Sequence, residues 1–237
     1  TPLSSSAASD VYKRQPLCIS GKDIIGEATE IYCDVVATSG GWSAAVHLSS
    51  QTGVKPVWDN EILSFRPGHA VQSQKSVGAC NGSFELKECI EDGISIGASE
   101  AKRLGFGSGK PKQKIDLPEN KNEHPTQELF CLPHFKPLSR APKQFVDQQL
   151  DVTAGSIELA AREGFESVEH IKRYTALGFG TDQGKLSNVN GMAILANALG
   201  RSIAETGTTV FRPAYTPTTF GAIAGREVKK LFDPERY

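Results

Sequence analysis

Residues 175–185 read TALGFGTDQGK, a glycine-rich loop between two helical patterns. It carries an acid (Asp182), a base (Lys185), two threonines and a glutamine, with neither cysteine nor histidine. Such a set suits an anionic ligand. Gly178, Gly180 and Gly184 permit backbone angles that other residues avoid. Thr181, Gln183 and Ser187 supply neutral donors, and Lys185 supplies a cation of flexible reach. A helix beginning near Asn188 would aim its first N–H groups at the same space. Asp182 works against an anion, so its carboxylate is expected to turn away and accept backbone N–H groups; with no second titrating partner it makes a poor catalytic acid. The competing reading is plainer: the glycines only turn the chain, and Asp182 and Lys185 are solvated charges. A second glycine turn, GACNG at 78–82, precedes a long helical pattern. Its small residues would let a ligand approach the backbone at a helix start, with a simple packing turn as the alternative.

The totals bound these readings. A chain of 237 residues holds one large domain or two small ones, and a net charge of −1 gives no sign of a nucleic-acid or membrane surface. No stretch approaches the roughly 18 apolar residues of a membrane span. The five cysteines are scattered without a C-x-x-C pair, which argues against a zinc site or redox dithiol. Cys33, Cys80 and Cys89 stand in apolar contexts and are expected as buried thiols of a reducing, cytoplasmic compartment. The histidines are dispersed without a ligand spacing.

Two regions carry the elements that would position the loops. Residues 31–38 (IYCDVVAT) predict a buried strand, broken by SGG and followed by a short helix over 42–53 that Gly53 closes. An extended segment should turn at Pro67-Gly68, and 74–82 predicts a second core strand ending in the glycine turn. Residues 84–104 predict a long amphipathic helix with Leu86, Cys89, Ile90, Ile94, Ile96 and Ala101 on its apolar side, Gly105 as cap, and Gly93 and Gly97 reserved for close packing. Residues 109–142 are rich in Gly, Pro, Lys and Asn and read as a linker. Beyond it Thr153 and Ser167 cap two short helices stopped by Gly164 and Gly178, and a third runs over 188–200. Residues 201–237 read as extended chain. The opening 1–15 (TPLSSSAASDVYKRQ) differs in composition, reads as non-native adaptor-derived sequence, and is set aside.

The order strand–SGG–helix, then strand–glycine turn–helix, resembles the C-terminal part of disulfide-reductase-like domains that bind flavin or nicotinamide dinucleotides. Most flavin-binding members carry Gly-Asp in that turn, where this chain has Asn81-Gly82, and the G-x-G-x-x-G fingerprint is absent. Three blocks in order, at 39–53, 152–188 and 207–226, are similar to the alpha subunits of heterotetrameric sarcosine oxidases. The resemblance implies an α/β fold: the C-terminal part of an FAD/NAD(P)-binding domain over 16–108, then a small all-α domain over 143–200, with an aminomethyltransferase-like folate domain lying beyond Tyr237.

It further implies a complex in which a flavoprotein beta subunit carrying FAD demethylates sarcosine, tetrahydrofolate captures the one-carbon unit, and oxygen is reduced to hydrogen peroxide, with smaller subunits completing the heterotetramer. NAD is expected at Gly78, Ala79, Asn81, Gly82, Phe84 and Leu86. Flavin mononucleotide (FMN) is expected at the subunit interface, by Thr181, Gln183, Gly184 and Lys185. The helical domain also resembles [2Fe-2S] modules of opine, proline or cyanide-forming amine dehydrogenases, the rival family. The four cysteine positions of those modules align with Asp147, Gln149, Leu177 and Asp182, so the thiolates an iron–sulfur cluster requires are missing and no cluster is expected. A non-catalytic docking scaffold is the other alternative.

Overall fold

The computed structural model describes residues 11–14, 23–27, 29–35, 37, 40–111, 116, 127–211 and 218–228. The architecture is mixed α and β, and its best-packed part is helical. Thr153 ends a two-residue strand and caps the helix that follows, its hydroxyl accepting from Ser156 N while the Ser156 hydroxyl accepts from Thr153 N. That helix, α3 (Ala154–Arg162), packs on α4 (Val168–Thr175) and α5 (Asn188–Leu199). Ile157, Ile171, Leu177, Met192 and Leu195 are fully buried between them. Gly164 and Gly200 take the left-handed backbone that ends α3 and α5, as their positions predict.

The stop of α4 differs from expectation. Ala176, not Gly178, adopts the left-handed conformation at its C-terminus (φ 65°). The cause is Leu177, which has to swing into the core, and the Thr175 hydroxyl steadies the bend by accepting from Leu177 N. Such a conformation costs a non-glycine residue roughly 1–2 kcal/mol, which burial of a leucine offsets.

Among the described residues the strands form three separate antiparallel pairs: β1 (Val11–Arg14) with β2 (Thr29–Tyr32), β3 (Val57–Asp59) with β4 (Ser64–Arg66), and β5 (Phe145–Asp147) with β6 (Val152–Thr153). The two expected core strands are not found among the described residues. Of the described residues within 31–38 only the first two lie in a strand, both are exposed, and Val35 is exposed as well. Residues 74–77 have no regular structure and lead into a 3-10 turn over Gly78–Asn81. A continuous apolar run makes a buried strand only inside a sheet covered on both faces, and among the described residues no such sheet contains either run. The extended segment does form, but as a hairpin that reverses over 60–63, before Pro67-Gly68.

The long helix α2 (Leu86–Arg103) matches its expected span and ends before a left-handed Gly105, yet it has no buried residue. Gly93 and Gly97 meet nothing within 4 Å, so they serve no close packing among the described residues. Cys33, Cys80 and Cys89, expected as buried thiols, are half-buried. The short helix α1 (His47–Ser50) lies where it was expected, with Gly53 in left-handed conformation after it. Val46 and Ala44 beside it form a small cluster with Phe211 from the far end of the chain. In the expected linker, Cys131 and Leu138 pack against the helical core, and the Gln144 amide bridges Leu132 N and O at 2.7 and 2.9 Å. No helix among the described residues is long and apolar enough to cross a membrane.

Two glycine substitutions separate packing from propensity. A Cβ on Gly191 of α5 would lie 2.5 Å from a methyl of the fully buried Leu177. Gly191→Ala should therefore destabilise the chain by about 1–3 kcal/mol in urea titration. Gly93→Ala, in open space on α2, should instead stabilise that helix by up to about 1 kcal/mol.

Candidate functional site

The glycine-rich loop is held by the residues that precede α3. Asp147, at the end of β5, is only 3% exposed, and its carboxylate is ringed by donors. Oδ1 accepts from Gln149 N (3.0 Å) and Leu150 N (3.3 Å), closing the turn between β5 and β6. Oδ2 accepts from Gly178 N (2.9 Å) and the Ser187 hydroxyl (3.3 Å), one at each end of the loop. Two residues on, Gln149 Oε1 accepts from Thr181 N (2.8 Å) and the Thr181 hydroxyl (3.3 Å). Asp147, Gln149 and Asp182, three of the positions that align with cluster cysteines, thus converge on one loop. Leu177, the fourth, is in the core.

Within the loop the Asp182 carboxylate accepts from Gly184 N and Leu186 N at 3.4 and 3.1 Å, the backbone bonds expected of it. The glycines make room for side chains. A Cβ on Gly180 would collide with the Gln149 amide, and one on Gly178 or Gly184 with the Asn188 amide. Asn188, at the start of α5, fills the loop's interior and donates from Nδ2 to the Thr209 hydroxyl at 3.0 Å. The Asn188 Oδ1 faces the Cα of both Gly178 and Gly184, where weak C–H···O contacts are its available interaction. Helix α4 contributes Lys172, nearly buried, whose ammonium stands 5.4 Å from the Phe179 ring centre, and Glu169, which accepts from Val210 N at 2.9 Å.

A residue far upstream completes the site. His47 of α1 is 4% exposed and lies against the Phe211 ring, 4.3 Å between centres. Gln51 of the same segment donates to Phe211 O at 2.7 Å. The imidazole also meets the loop. Its proton affinity is lowered by burial and by the Lys185 ammonium, against the opposing pull of the Gln183 backbone and the Asp182 carboxylate. Gln183 itself has a left-handed backbone (φ 54°). Of these residues the sequence pointed to Asp147 and Gln149 only through the cysteine alignment. His47, Asn188 and Thr209 carry no local signal, because what makes them part of the site is long-range contact.

The geometry tests the expected ligands. Thr181 and Gly184 donate to Gln149 and Asp182, and Gln183 donates from both its N–H and its amide to Gly180 O. With these donors engaged, and with the Asp147 and Asp182 carboxylates already bound to the loop's N–H groups, the loop does not fit a phosphate dianion. Its outer surface exposes Phe179 and Leu186. The other expected site, at 78–86, is more open. Ala79 and Leu86 are exposed, and α2 begins without a side-chain cap. Gly82 (φ 93°) has a packing reason as well, since a Cβ there would lie 2.6 Å from Ile62. Glu85 and Glu88 place negative charge at this helix start, which suits the uncharged parts of a dinucleotide better than its phosphates.

Replacing one atom tests the Asp147 clasp. In Asp147→Asn, one oxygen becomes an NH₂ that faces either the Gln149 and Leu150 N–H groups or those of Gly178 and Ser187. Unfolding free energy should fall by about 1–3 kcal/mol per donor left unmet. The Gly178 amide should also exchange with solvent faster than in the parent. Unchanged stability and exchange would show that the carboxylate charge is not what holds the loop.

Residues 141–226, which contain the clasp and the helices around it, match the sarcosine oxidase A3 domain family. The chain is 38% identical over 216 residues to the sarcosine oxidase subunit alpha of Corynebacterium sp. (strain P-1), covering 90% of this chain and 22% of that protein. It is 36% identical over 211 residues to that of Rhizobium meliloti (strain 1021), covering 89% and 21%. In fold it is similar to the crystal structure of L-proline dehydrogenase from P. horikoshii, with a TM-score of 0.63 and 19% identity over 92% of this chain and 44% of that one. The chain spans about a fifth of the length of the curated relatives it matches. Likeness across both halves, with the A3 domain inside it, places the chain in the sarcosine oxidase alpha-subunit family.

Proposed function

We propose that this chain is a stretch of an oxidoreductase subunit whose complex demethylates sarcosine to glycine, passes the one-carbon unit to tetrahydrofolate and yields hydrogen peroxide. The observation that carries the reading is the similarity to sarcosine oxidase alpha subunits over about nine-tenths of the chain. In this reading amine oxidation belongs to a flavoprotein beta subunit carrying FAD, and the stretch described here supplies cofactor-facing loops and scaffolding. Residues 16–108 are the C-terminal part of a disulfide-reductase-like dinucleotide domain. NAD approaches the 78–86 turn through its uncharged portions, against Ala79, Phe84 and Leu86. FMN meets the 178–187 loop at the subunit interface by its ring edge, with Lys185 beside it. When bound, the flavin supplies the electron acceptance that no side chain here provides, and the residues of the clasp hold the loop that faces it. The complex is a cytoplasmic heterotetramer without an iron–sulfur cluster in this domain.

Two measurements test the reading. The chain by itself, incubated with sarcosine, should produce no peroxide above a blank; activity from it alone would refute the assignment of the chemistry to other parts of the complex. In the assembled enzyme Lys185→Ala should weaken flavin retention after dialysis, by about one to two decades in affinity if a charge-assisted hydrogen bond of roughly 1.5–3 kcal/mol is lost. Undiminished flavin content would leave Lys185 as a structural charge and remove FMN from this loop.

A further inference from the structure

We propose that His47 is a positioning residue for the 181–185 loop, and that gain of a proton by its imidazole releases the loop from α1 and from Phe211. The inference rests on the proposal above that this loop faces a cofactor, and it adds a control that the family likeness does not contain.

Three observations converge on the residue. Its ring is 4% exposed and is covered on one side by Phe211, whose carbonyl is held in turn by Gln51 from the next turn of chain. The loop backbone it meets is at Gln183, whose left-handed conformation stores strain that persists only while the surroundings fix it. The charged groups that face the imidazole among the described residues are Lys185 and Asp182, both from the loop. Helix α1 brings Ser49 and Gln51, and the chain at 209–211 brings Thr209, Val210 and Phe211, none of them charged. A proton on His47 would thus put a second cation beside Lys185 in a space closed by an aromatic ring. The inexpensive response is for Gln183 to relax and for Lys185 to move outward.

The sign follows from burial. Burial is the largest influence on His47, Lys185 reinforces it, and the folded state holds the proton less tightly than the unfolded chain. The neutral, clasped arrangement is therefore complete above the ordinary histidine value of about 6.5 and is lost as pH falls through the depressed value. The pH range that matters lies on the acid side of neutrality.

The test is nuclear magnetic resonance on this chain without cofactor, so its outcome is independent of flavin retention in the assembled enzyme. Between about pH 8 and 4.5 the ring signals of His47 should titrate below the free-histidine midpoint of about 6.5. The backbone amides of Gln183, Gly184 and Lys185 should move with that same midpoint. His47→Phe keeps the ring against Phe211 but cannot titrate. His47→Gln keeps a polar contact for the Gln183 backbone and cannot titrate either. In both variants the loop transition should vanish, and in His47→Gln the loop amides should stay near their high-pH positions. Loop amides that stay still while His47 titrates in the parent, or a transition that survives in either folded variant, would overturn the proposal.

Discussion

A carboxylate withdrawn from water must be surrounded by donors, and the arrangement of this site follows from meeting that demand at Asp147. The donors come from its own turn and from both ends of a loop some thirty to forty residues later. One side chain therefore fixes where the β5–β6 hairpin, the end of α4 and the start of α5 stand. Gln149 repeats the device at the outer edge of the loop. Asp147 and Gln149 thus tie the loop through oxygen acceptors and backbone N–H groups, and such a clasp needs bare N–H groups and close backbone approach from the loop.

That requirement explains the glycines that make the loop look like an anion cradle. Gly178 and Gly184 lie against the Asn188 amide, and Gly180 lies against Gln149; at each position a methyl group would occupy space already filled by a polar side chain. Glycine-rich backbone with threonine, glutamine and lysine is compatible with a phosphate, and composition offers no means of telling a cradle from a clasp. The difference is whether acceptors from elsewhere reach the donors first. Those acceptors, Asp147 and Gln149, precede the loop by some thirty residues, beyond the reach of any local pattern.

What was legible follows the same line between local and distant causes. The helices α3, α4 and α5 were readable because their apolar spacing, the Thr153 cap and the glycines at 164 and 200 are local features with local consequences. The stop of α4 was misplaced because Leu177 entering the core, not glycine chemistry, decides where the helix bends. The strands over 31–38 and 74–82 failed for a different reason. Their apolar runs signal burial on two faces, and such burial needs a sheet covered above and below, which the described residues do not contain. Helix α2 shows this from the other side: its span was correct, while its apolar face, read as core, is only half-buried among the described residues and exposed at Leu86.

The loop also joins regions that are remote in sequence. Asn188 reaches Thr209, Glu169 holds Val210 N, and Phe211 stacks on His47 while its carbonyl receives Gln51. Three consecutive residues of the chain after α6 (Ile203–Thr206) are thus gripped in turn by α5, α4 and α1. Because each grip is a directional polar bond or a ring contact and not a broad apolar face, the arrangement has little tolerance for partial displacement. Moving Phe211 exposes His47, and exposing His47 removes the burial that keeps its proton off. The loop, the upstream helix and the downstream segment therefore share one equilibrium, and a perturbation at any of them is felt at the surface that carries Phe179, Lys185 and Leu186.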